Sequence, residues 1–210
     1  MTRDERYRRR FSIFACEAVI AAFAATALPS QLKAAEDSSE LSQYLNETFK
    51  NSNYKYSSAS NGMAYGFEST AGSGTARIFV LARDSNGRFF VEEQSQEFEF
   101  DDPRGLTSVE AVEAAGPDRF SVQINYRTLC GPSIDIYRFK KVGANWRESG
   151  HDYSTMACND DGSIGNDERI SENMLTGRVI QEVYKNDKRV KYKISRQSFA
   201  TVLLRDFSPN

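Results

Sequence analysis

One histidine, three cysteines and one tryptophan are all that the 210 residues contain of those three types, and the shortage excludes several chemistries. A structural or catalytic zinc site draws its tetrahedral ligands mainly from Cys and His. The body of the chain offers only Cys130, Cys158 and the distant His151, which cannot fill one. No Gly-x-Ser-x-Gly elbow occurs. The nearest approach, Gly72-Ser73-Gly74, is too short and precedes strand-like sequence rather than a helix. The same glycines fail as a phosphate loop because no Gly-Lys-Ser/Thr follows. A long apolar run is missing as well. The best candidate, Phe11–Leu28, is dominated by Ala and contains Glu17, whereas a membrane span needs about 20 strongly apolar residues. His151 lies between Gly150 and Asp152 with no nucleophile beside it, and reads as a surface or structural residue at a strand end. No catalytic residue, cofactor-binding residue or metal ligand is therefore expected, and no cofactor.

Residues 1–35 instead have the three parts of a secretory leader. Arg6, Arg8, Arg9 and Arg10 form a positive start, Ala18–Leu28 an apolar run, and Pro29-Ser30 a helix stop before Leu32-Lys33-Ala34. Cleavage is expected after Ala34 or Ala35, with Ala27 as the alternative. Arg8-Arg9-Arg10-Phe11-Ser12-Ile13 also looks like the twin-arginine export motif, so the export route stays open. Cys16 precedes the apolar run instead of following it, which argues against a lipid anchor. The expected location is periplasmic or secreted, with no membrane span once the leader is gone.

Losing the six cations and three anions of residues 1–35 takes the formal charge from −2 to −5. A body that acidic is a poor phosphate binder, since nucleic-acid affinity rests on Lys and Arg releasing counterions. No nucleic-acid partner is expected. With 40% hydrophobic and 27% charged residues the composition is that of a folded protein. The body, 36–210, is long enough for one domain with a real core.

Removing the leader also turns three cysteines into an even pair, which in an exported chain reads as a disulfide between Cys130 and Cys158. The local pattern is strand, Gly131-Pro132 turn, strand, strand, which brings both cysteines to the same end of a meander. Closing such a loop stabilises by about 3–4 kcal/mol.

The pattern predicts one helix over 38–50, entered by a capping box at Asp37 and Glu40 and carrying Leu41, Tyr44, Leu45, Thr48 and Phe49 on one face. Thereafter the period is two. Strands are expected around Tyr54–Tyr56, Tyr65–Phe67, Ile78–Leu81, Phe89–Val91, Leu106–Ala115, Phe120–Tyr126, Ile134–Phe139, Trp146–Tyr153, Val179–Tyr184, Val190–Ile194 and Ala200–Leu204. Asn159–Glu172 reads as a long polar interruption. The fold class is mainly β: an antiparallel β-sandwich or strongly curved sheet with one N-terminal amphipathic helix.

Four features invite a functional reading. Asn159, Asp161, Gly162, Ile164 and Glu168 fall at the third, fifth, sixth, eighth and twelfth positions of a calcium loop, but Ala157 stands where the first Asp is required, so the loop reads as a solvated turn. Glu97 and Glu99 alternate with Phe98 and could serve a carboxylate hydrolase, although a wet strand face accounts for them. Tyr54, Tyr56 and Tyr65 could stack glycans. Finally, Lys185, Lys188, Arg189, Lys191 and Lys193 form a basic hairpin. It either protects a sheet edge or docks an acidic partner, with Tyr184, Tyr192, Lys191 and Lys193 as the contact residues.

From about Phe120 to Phe207 the chain shows an alternating strand, Tyr137-Arg138-Phe139, a Gly turn, Trp146, Leu175-Thr176-Gly177-Arg178-Val179, a Tyr/Lys-rich hairpin and Asp206-Phe207. This stretch resembles small exported bacterial proteins of uncharacterised function, similar in outline to inhibitors and toxin-immunity proteins. The resemblance implies a protein-binding role, with an enzyme or toxin as partner, and no catalytic residues. An envelope hydrolase or a glycan-binding module is the alternative.

Overall fold

Alternating apolar and polar residues put every second side chain of a strand on one face, and most of this chain follows that rule. The computed structural model describes residues 38–209, apart from 51, 60–61, 71–73, 100–106, 129–130 and 160–163. The chain divides between Thr48 and Phe49 into two compact units. The first contains helix α1 (38–48), two residues shorter than its expected range, with Leu41 and Leu45 buried one turn apart. Asp37, the expected capping residue, lies outside the described residues. No helix among them is long and apolar enough to cross a membrane.

The second unit is mostly β, in two antiparallel sheets. In the first sheet β1 (Ser52–Ser58), β2 (Ala64–Thr70), β3 (Thr75–Arg83) and β4 (Phe89–Gln94) form a meander, and β5 (Phe98–Glu99) pairs with the start of β3. In the second, strands follow one another across the sheet in chain order. These are β6 (Thr107–Ala114), β7 (Arg119–Thr128), β8 (Gly131–Val142), β9 (Asn145–Cys158), β10 (Ile164–Asn173), β11 (Arg178–Lys185) and β12 (Lys188–Arg196). Of the expected strand Leu106–Ala115, the part Thr107–Ala114 is β6.

Only part of the second sheet has the first sheet packed on it. There the core forms from Tyr65, Phe67, Ile78 and Val80 on one side, and Phe120, Val122, Ile124, Phe139 and Trp146 on the other. The Tyr65 and Phe120 rings stack across the layers at 4.6 Å, and Phe120 stacks on Phe139 at 5.0 Å. A bulge at Glu92 turns both Glu92 and Glu93 toward Trp146. The indole N–H donates to Glu92 (3.0 Å) and the Trp146 backbone N–H to Glu93 (3.1 Å), so the sheets are also joined by polar contacts. On the other face of the first sheet Phe79 stacks on Phe49 at 4.7 Å. That ring needs a glycine beneath it, because a Cβ on Gly66 would lie 2.0 Å from it.

Two expectations are corrected. Ala200–Leu204 is not a strand: Leu203 makes one isolated bridge to Arg147, and a 3-10 turn at Leu204–Asp206 drops Leu204 and Phe207 into the core. Asn159–Glu172 is not a continuous interruption, because most of it is β10. Apart from Ile164, Gly165 and Ile170 its residues are polar, and ladder bonds to β9 and β11 supply what apolar patterning does not. No described side chain in β10, β11 or β12 is fully buried. Among the described residues this part of the sheet extends beyond the sandwich as a single layer.

Candidate functional site

Two groups of side chains lie on opposite faces of the larger sheet. The first is a polar cluster on the core-facing side. His151 is not at a strand end but within the 14-residue β9, opposite Tyr137 of β8 and Glu172 of β10. Its ring stacks on Tyr137 at 4.5 Å and nearly parallel, and its Nε2 lies 2.6 Å from Asp135 Oδ1. The Tyr137 hydroxyl hydrogen-bonds to that of Tyr126. Glu148 joins the cluster through a second bulge: Gly150 pairs with Arg138 and Glu148 with Phe139, leaving Ser149 unpaired. Strict alternation would send Glu148 and His151 to opposite faces. The extra residue brings both inward.

Burial pushes the Glu148 carboxyl up to about 7, with the His151 charge opposing and Glu172 adding to the shift. For His151, burial disfavours the cation, but the Asp135 hydrogen bond and charge, with Glu148 and Glu172, outweigh it and hold the pKa above its ordinary value. Tyr126 is raised to about 12, first by burial and then by Asp135, so both tyrosines stay neutral donors. The cluster can hold and exchange protons near neutral pH. The sequence marked His151 alone, as it is the one histidine. Asp135, Glu148 and Glu172 were invisible because their approach depends on register and a bulge.

The second group lies on the outer face of β8 to β12. Arg138 forms a two-point ion pair with Asp152 (Nη2 to Oδ1 2.8 Å), Arg169 grips Asp167 (2.9 and 2.7 Å), and Arg189 binds Glu182 at 2.7 Å. Arg169 also covers the Tyr184 ring at 4.5 Å, and Arg189 covers Tyr192 at 4.6 Å. Between these ladders Ile134, Ile136 and Ile180 line a shallow depression of about 430 Å³. Farther out, on β12, Val190, Tyr192 and Ile194 are 61%, 49% and 50% exposed.

The expected contact residues divide by face. Tyr184 and Tyr192 share the outer face, and by alternation Lys191 and Lys193 point to the reverse side of the same hairpin. The turn at Asn186-Asp187 has positive φ at both residues (50° and 60°), the geometry of a tight hairpin. Tyr65 is fully buried and donates to the Pro117 carbonyl at 2.9 Å, so it cannot stack a glycan. Glu97 and Glu99 are exposed beside buried Phe98, as the alternation predicts. Thr75 and Arg77 hold the Glu97 carboxyl below its usual range, the opposite of a general acid's need. Cys130 and residues 160–163 lie outside the described residues, as does the Cys158 side chain, so the disulfide and the calcium loop have no structural account. Among the described residues no group of three or more His, Cys, Asp or Glu is placed to hold a metal.

Comparisons with protein-family models, with curated proteins and with solved structures found no match for this chain.

Proposed function

We propose that this chain is an exported, non-enzymatic protein-binding domain, an inhibitor or immunity protein in type, and that its partner docks on the outer face of the β11–β12 hairpin. One observation carries the reading: Val190, Tyr192 and Ile194 stand exposed on one strand, and no second layer among the described residues covers it. Scattered apolar residues on a surface need no explanation, but a row of three beside an arginine-capped tyrosine has the make-up of an interface anchor. Charge selects the partner. The hairpin is locally basic on a body of formal charge −5, so an acidic protein is repelled elsewhere and steered here.

The test replaces Tyr192 with a photo-crosslinking residue in the native host, with the same replacement at exposed Glu99 as control. The protein captured at position 192 alone is then purified, and its affinity measured for the parent and for Tyr192→Ala. A loss of about 2 kcal/mol or more is expected, roughly 30-fold in Kd. An unchanged Kd would refute the assignment of this face.

The polar cluster favours a second reading, a hydrolase in which His151, oriented by Asp135, moves protons together with Glu148. Purified protein assayed for peptidoglycan, peptide and ester hydrolysis distinguishes the two. No turnover is expected, and binding should survive His151→Ala and Glu99→Gln. Turnover that falls by about two to four orders of magnitude in folded His151→Ala would establish the hydrolase.

A further inference from the structure

The two edges of the larger sheet are treated differently. The β6 edge is covered by side chains of β1: Lys55 Nζ donates to the Glu110 carbonyl at 3.0 Å, and the Ala114 N–H donates to Ser57 Oγ at 3.2 Å. At the other end β12 is the last strand among the described residues. Every second N–H and C=O of an edge strand points away from its only neighbour, ready for another chain. In β12, Tyr192 and Ile194 lie on the outer face and Lys191 and Lys193 on the reverse, while Val190 sits at a bulge next to Arg189, which is also on the outer face. None of the ion pairs among the described residues involves Lys188, Lys191 or Lys193, whereas Arg189 is already bound to Glu182.

We propose that the β12 edge receives an extended segment of the partner as an added strand, in which apolar and acidic residues alternate. This rests on the protein-binding reading above and names the chemistry of the partner. The pattern follows from period-two geometry beyond the bulge: residues on one face of the incoming strand meet Tyr192 and Ile194, and those between them meet Lys191 and Lys193. Backbone bonds would supply affinity, and the two rows would fix register and select sequence. A second copy is a poor occupant. Two β12 strands placed edge to edge would bring lysine rows together, and like charges directly opposite are destabilising. Edge protection alone would account for the lysines. It gives no reason for three exposed apolar side chains on the same strand.

The probe is a fluorescein-labelled nine-residue peptide alternating Val and Glu, titrated into the full-length protein. One control has the same composition with its Val and Glu in separate blocks, and another replaces Glu by Lys. The alternating peptide should bind at least tenfold more tightly than either control and slow amide exchange in β12. Lys191→Glu/Lys193→Glu should weaken it at least tenfold while β2, β3 and β8 keep their exchange protection, which shows that the variant is folded. Equal binding of alternating and blocked peptides, or a folded double variant that binds unchanged, overturns strand addition. The captured partner separates this failure from that of the broader reading. If it still binds through Tyr192 but leaves the β12 amides unprotected, only the edge proposal falls. If Tyr192→Ala leaves its affinity unchanged, the docking face itself is wrong.

Discussion

At the scale of single residues, Glu148 is the position where burial and charge conflict most directly. Its side chain enters the core margin beside His151, with Glu172 on the neighbouring strand. A carboxyl whose folded pKa stands near 7, well above its ordinary value of 4.5, holds its proton more tightly folded than unfolded. Stability therefore falls as pH rises from about 4.5 through about 7, by up to about 3 kcal/mol. The raised His151 pKa acts in the same direction: its contribution is full below the ordinary value of 6.5 and is lost as pH rises through the folded value. Glu148→Gln keeps the shape and cannot ionise. In urea denaturation it should match the parent near pH 4.5 and be more stable by about 1–3 kcal/mol at pH 8. An offset equal at both pH values would mean that Glu148 is not held protonated by its surroundings. Sequence alone does not reveal this, since a Glu in a strand reads as wet-face charge until a bulge turns it inward.

At the scale of elements, that bulge sets the register of β9. Trp146 and Glu148 face the core before Ser149, and His151 faces it after. The Ser149 side chain contributes one bond, its hydroxyl donating to the Arg138 carbonyl at 3.1 Å, while its carbonyl accepts from the Met174 N–H at 3.1 Å. Ser149→Ala should thus cost only about 0.5–1.5 kcal/mol. Deleting Ser149 is another matter, because a one-residue slip sends Trp146 to the solvent face or displaces His151. Exposing a fully buried Trp alone is worth about 3–5 kcal/mol, enough to consume the margin of many domains. Thermal melts should show Ser149→Ala near the parent and the deletion without a cooperative transition. A deletion variant that melts like the parent would show that the register is set elsewhere. The strands most legible in the sequence, such as β7 and β8, are those whose alternation reports a buried face. β10 was missed because its neighbours hold it by backbone bonds while both its faces stay wet. Leu203 and the following turn were misread because an apolar run can enter a core without being a strand.

At the scale of the whole β unit, the second sheet is thick at one side and thin at the other. The strands β6 to β9 share the core with the first sheet, where fully burying one Phe or Ile stabilises by about 1.5–3 kcal/mol. From β10 outward no described side chain is fully buried, and the outer face relies on arginine–carboxylate pairs that are partly exposed and so individually weak. A sandwich could be expected from the number and spacing of strands. An overhang could not, because sequence patterning tells which face of a strand is apolar but not whether another layer arrives to cover it. Cooperative units with less buried apolar surface open at lower free energy. Native-state hydrogen exchange should therefore grade across the sheet: amides of β7 and β8 should exchange only through global unfolding, those of β10 and β11 sooner, and the outward amides of β12 fastest. The gradient bears on the proposed strand addition: a strand that opens readily can adapt its twist to an incoming segment, and under that proposal the partner would supply a layer that the described residues do not. Binding of the partner should raise protection most in β12 and progressively less toward β9. Protection already uniform in the free protein would mean that the extension folds as one unit with the sandwich, and that its exposed apolar row is not a low-stability surface waiting for a second layer.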